Sequence, residues 1–91
     1  MDLSALPGGD LIAKGLADLR SGEESAEALL VQVGAPRLRS LGFSVPDRVG
    51  GPAEHRLYAL LAASDANSAH TRYNALIRRL VSFERAAACA G

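Results

Sequence analysis

Few side chains in this 91-residue sequence are of types that do covalent or metal chemistry, and they form no constellation. His55 and His70 fall in separate helical segments, without metal-ligand spacing and without an acid placed to pair with either ring. Cys89 is the single cysteine, and it lies in an Ala-rich C-terminal stretch prone to fraying. The pairs Gly8-Gly9 and Gly50-Gly51 lack the lysine, the Ser/Thr and the strand-to-helix setting in which a glycine loop cradles phosphate. No catalytic residue, metal site or cofactor is expected, and the chain reads as a non-enzyme.

What remains is binding chemistry, concentrated in the C-terminal third. Arg72, Arg78, Arg79 and Arg85 invite a nucleic-acid reading, because guanidinium groups neutralise phosphates. At about 100° per residue, however, Arg72 and Arg79 fall on one shoulder of an apolar arc and Arg78 and Arg85 near its far side. Two separated pairs make a diffuse basic face. A helix-turn-helix drawn over residues 27–42, with Gly34 in the turn and Arg37 and Arg39 on the reading helix, fits badly. Its second helix, residues 36–41, opens on a proline and is too short to lie along a major groove. Leu30 also stands where such motifs place a small residue.

The more informative pattern is a stripe beside the main seam of the C-terminal helix. His70, Asn74, Ile77, Val81 and Glu84 follow one another at steps of four and three. Glu84 falls on the wheel between Leu80 and Ile77, where an unpaired charge is costly to bury. Two readings stay open. Glu84 either reaches solvent or takes Arg37, Arg39 or Arg56 of its own chain, or the stripe is a partner surface. In the second case Ile77 and Val81 form the apolar centre, and His70, Asn74 and Glu84 set the register.

These residues must be positioned by helices. Leu11, Ile12, Leu16 and Leu19 recur at helical spacing from about Asp10, and Ser21-Gly22 ends the run. Ser21 with Glu24 has the pattern of a capping box for a second helix, making an αα-hairpin with Ala26, Leu29, Leu30 and Val33 inward. That helix stops at Gly34. Residues 36–41 then form a short helical turn with Leu38 and Leu41 inward and Gly42 as a left-handed terminator, followed by Phe43 and Val45 plugging the core. Residues 46–52 are the most loop-like in the chain. A further helix over 53–63 turns Leu57, Leu60 and Leu61 inward with Tyr58 at the border, and residues 64–67 break it. The last helix, 68–88, carries Ala69, Tyr73, Leu76, Leu80, Phe83, Ala87 and Ala90 at alternating steps of four and three.

The expected fold is therefore all-α: a compact bundle of four main helices plus one short helical turn, with a long C-terminal helix. It forms a single helical domain over residues 1–91, with 1–9 a lead-in open to fraying. With 4 % aromatic residues and no Trp, the core must be Leu, Val, Ile and Ala. Net charge is zero, yet residues 1–36 set six acids against Lys14 and Arg20, a net of −4, and residues 37–91 set eight arginines against four acids, a net of +4. This polarity suits contacts between the two halves, or between protomers, ahead of a phosphate backbone. One cysteine allows no internal disulfide, the N-terminus lacks a signal-peptide pattern, and no stretch approaches about 20 apolar residues, so a cytoplasmic location without a membrane partner is expected. The leading functional expectation is a non-catalytic module that self-associates or docks a protein partner through its C-terminal helix. Nucleic-acid binding through the arginines is the alternative.

Overall fold

The first apolar stripe becomes α1, Gly9–Arg20, in the computed structural model, which describes residues 3–46 and 51–90. Ile12, Leu16 and Leu19 are buried on its inner face, with Leu11 packed at the edge. The lead-in is more ordered than the sequence suggests: Leu3–Ala5 forms a 3-10 turn, and Leu3 and Leu6 pack against the core. Gly8, at φ +72°, then carries the chain past the last helix, so close that a Cβ there would stand 2.8 Å from the Arg79 carbonyl oxygen. Met1 and Asp2 lie outside the described residues.

The expected capping box at Ser21 is not formed. Ser21 is still within reach of the last turn of α1, and its hydroxyl donates backwards to the Ala17 and Asp18 carbonyls at 3.0 and 3.2 Å. The chain needs the left-handed Gly22 and two more residues to reverse. Ser25, in extended conformation, therefore caps α2, Ala26–Val33, accepting from the Ala28 amide at 3.1 Å and donating to Asp18 Oδ2 at 2.6 Å. The Lys14 ammonium, 2.7 Å from the same oxygen, and the Ser25 hydroxyl together hold the Asp18 carboxyl below its ordinary range. Replacing Ser25 with Ala is expected to lower stability by about 1 kcal/mol. An NMR titration of that variant should show the Asp18 pKa moving up toward an ordinary aspartate.

Helix α2 is the centre of the fold. Ala28, Leu29, Leu30 and Val31 are all buried, where the sequence pattern singled out Ala26, Leu29, Leu30 and Val33; Ala26 and Val33 are only half-buried. The difference follows from its neighbours, since α2 meets α1, α4 and α5 on successive sides, and a helix covered all round needs no single stripe. Gly15 lets α1 approach it. A Cβ at that position would sit 2.4 Å from the Glu27 carbonyl oxygen and 2.5 Å from Val31 Cγ2.

Helix α3, Ala35–Ser40, starts one residue before the proline and buries Leu38, with Leu41 half-buried and Gly42 left-handed as expected. Phe43 then turns its ring to Phe83, with centroids 5.6 Å apart, and Val45 is buried while Arg39 holds its carbonyl at 2.9 Å. Of the expected loop 46–52, residues 47–50 lie outside the described residues. Helix α4, Ala53–Ser64, buries Leu57 and Leu61. Leu60 does not join them. It is turned about 100° from Leu61, beyond the strip that meets α2 and α5, and it remains 38 % exposed.

Helix α5, Ala69–Ala90, is 22 residues long and runs two residues past the expected end. Ala69, Leu80, Phe83 and Ala87 are buried and Tyr73 and Leu76 half-buried, so the heptad seam is core; Ala90 is exposed. At about 33 Å, α5 nearly spans the longest dimension of the molecule, 37 Å. All elements among the described residues are helical. The charge polarity resolves partly inside the chain, because Asp10 of α1 pairs with Arg79 of α5 and Glu24 of the α1–α2 loop with Arg56 of α4.

Candidate interaction surfaces on the C-terminal helix

Because α5 touches its own fold along one strip, both of its shoulders reach the surface. On one shoulder the Tyr58 ring of α4 packs against Tyr73, with centroids 5.7 Å apart. Tyr73, Ile77 and Val81 then follow at one-turn spacing along α5. Tyr58 is 39 % and Val81 37 % exposed, and Tyr73 and Ile77 are half-buried between them. The result is a continuous aromatic and aliphatic strip, edged by exposed His70 and Asn74, whose side chains share a hydrogen bond of 3.1 Å.

Glu84, the last member of the expected stripe, behaves differently. It is half-buried beside Gly34, where the α2–α3 joint leaves room for it: a Cβ on Gly34 would stand 2.9 Å from Leu80 Cδ1 and 3.2 Å from Glu84 Oε2. Burial pushes the Glu84 carboxyl above its usual range, and the charge of Arg37 pulls it partly back. A carboxyl whose folded pKa is raised contributes stability that is full below the ordinary pKa near 4.5 and lost as pH rises through the folded value. Glu84→Gln is therefore expected to gain stability relative to the native chain between pH 4 and pH 7. Urea unfolding of both proteins at the two pH values checks this.

The arginines form two pairs, as the wheel implies. Arg78 and Arg85 are exposed beside Val81, Arg78 donating to the Asn74 carbonyl at 3.4 Å. Arg72 and Arg79 lie on the other shoulder, Arg72 reaching Ser64 Oγ at 3.5 Å and Arg79 reaching Asp10 at 3.4 Å. No protein-family model, curated protein or solved structure matches this chain.

His55, His70 and Cys89 are all exposed, and no group of three metal-binding side chains exists among the described residues. In the segment where a helix-turn-helix could be drawn, α3 has six residues and turns Leu38 inward. No helix among the described residues is long and apolar enough to cross a membrane. Sequence reasoning found His70, Asn74, Ile77 and Val81 but left Tyr58 and Tyr73 out of the strip. Tyr73 sits on the core seam by spacing, and nothing local shows that a ring fifteen residues earlier in the chain extends the patch across to α4.

Proposed function

We propose that this chain is a non-catalytic protein-interaction module whose docking element is α5. The observation that carries this reading is the strip of Tyr58, Tyr73, Ile77 and Val81, which holds two of the three exposed large apolar side chains of the described residues. Aromatic and aliphatic side chains clustered at a surface, with hydrogen-bonding groups at the rim, are the makeup of an interface centre. His70 and Asn74 supply that rim.

A photo-cross-linking residue placed at position 81, with one at exposed Ala13 on α1 as control, tests the proposal in the native cell. Discrete cross-linked proteins from position 81, lost on Ile77→Asp, are the expected result. Equal yield from the two positions would refute the reading. Sedimentation of the purified chain identifies a second copy as the partner when the dimer reverts to monomer on Val81→Asp.

A phosphate-binding reading draws on one specific feature: α5 exposes Arg72, Arg78, Arg79 and Arg85, and its single acid, Glu84, is half-buried. Such binding would be strongest at low salt, so a gel-shift titration with duplex and single-stranded probes in dilute buffer decides it.

A further inference from the structure

On the shoulder of α5 opposite the aromatic strip lies an open groove of about 290 Å³. Leu11 of α1, Leu61 of α4 and Leu76 of α5 give it an apolar floor, and Arg72 and Arg79 line its α5 side. Seven residues are two helical turns, so the two arginines project from points about 10 Å apart along the groove. Their local contacts are loose. Arg79 meets Asp10 at 3.4 Å with both side chains largely exposed, and Arg72 has only the Ser64 hydroxyl at 3.5 Å. Exposed contacts of this kind exchange readily for the carboxylates of a partner.

The apolar floor and the acid beside it select among anions. Glu27 also lines the groove; its Oε2 is shut off from solvent and accepts no hydrogen bond, with Lys14 Nζ 3.6 Å away. A phosphate backbone would set a dense row of negative charge beside the Glu27 carboxylate and offer nothing apolar to the leucine floor. A peptide helix brings isolated carboxylates with apolar side chains between them.

We propose that this groove docks an acidic amphipathic helix of a protein partner, with two carboxylates seven residues apart on Arg72 and Arg79 and apolar residues between them on the leucine floor. The proposal shares with the function above the view that α5 docks proteins, but it uses a different face, so the two fail separately. Cross-linking at position 81 does not bear on the groove, and charge reversal in the groove leaves the strip intact.

The probe is an Ala-based helical peptide with Glu at i and i+7 and Leu at i+3 and i+4, followed by fluorescence anisotropy and amide chemical shifts in low salt. The expected result is saturable binding with shifts at Leu11, Leu61, Ala75 and Leu76. Arg72→Glu combined with Arg79→Glu should weaken binding at least about tenfold. The matching peptide with Lys at both acidic positions should bind this double variant and not the native chain. Circular dichroism confirms that the double variant is helical; if it unfolds, Arg72→Gln with Arg79→Gln carries the same loss of affinity. Failure of the native chain to bind the acidic peptide, equal binding of the lysine peptide, or shifts confined to Ile77 and Val81 would each overturn the proposal. So would a duplex DNA that displaces the peptide and binds the same amides more tightly.

Discussion

Phe83→Ala is expected to lower the unfolding free energy by about 3–5 kcal/mol, a large share of the roughly 5–15 kcal/mol that holds a domain together. Phe83 is completely buried on α5 and heads the largest side chains of the core. Phe43, the only other phenylalanine, tilts against it at 48°, which ties the segment after α3 to α5. Gly8 closes the other side, where an added Cβ would come within 3.6 Å of Phe83 Cβ. Truncation would thus open a cavity bordered by three parts of the chain. The fully buried side chains around it are Leu, Ile, Val and Ala, already close-packed, so the void is not refilled without moving the segment that carries Phe43. Urea unfolding measures the loss, and amide exchange should show α5 losing protection first. A change below about 1 kcal/mol would mean that α5 does not seat its ring in the core as described.

Gly15→Val is the second large effect, about 3 kcal/mol or more, and it acts by excess volume instead of a void. Valine and glycine differ little in helix propensity, so the backbone of α1 gains only a few tenths of a kcal/mol from the change. Against this stands an added Cβ 2.4 Å from the Glu27 carbonyl oxygen, and backbone cannot swing aside as a side chain can. The two helices must separate, and every contact of Ile12, Leu16 and Leu19 with α2 loosens with them. Gly51→Ala is the control, because a Cβ there meets nothing. Its stability should stay within about 0.5 kcal/mol of the native chain. Equal stability of Gly15→Val and Gly51→Ala would contradict the close crossing of α1 and α2.

These two residues also show how unevenly the fold and the candidate surfaces were legible. Phe83 announces itself, because its spacing from Leu76, Leu80 and Ala87 marks the inner seam of a helix wherever that helix is placed. Gly15 does not. A glycine inside an apolar stripe reads as a weak point of α1, and only the position of Glu27 turns its missing side chain into a requirement. The stripe of His70, Asn74, Ile77, Val81 and Glu84 was legible as a stripe, but the structure divides it. Glu84 turns toward Gly34 and the field of Arg37, while Val81 stays exposed and is joined through Tyr73 to Tyr58.

By itself the sequence determined that the chain is helical, where the long helices run to within a residue or two except at the start of α2, and which face of α1 and α5 turns inward. Those outcomes depend on propensity, periodicity and end signals acting over three or four residues, all of which the linear order contains. The tertiary structure alone decided that Ser25 and not Ser21 caps α2, that α2 is enclosed on all sides and that Leu60 is left outside. It alone also gathered Leu11, Leu61 and Leu76 with Arg72, Arg79 and Glu27 around one groove. Each of these depends on which helices cross and how closely, a choice fixed by contacts between residues tens of positions apart.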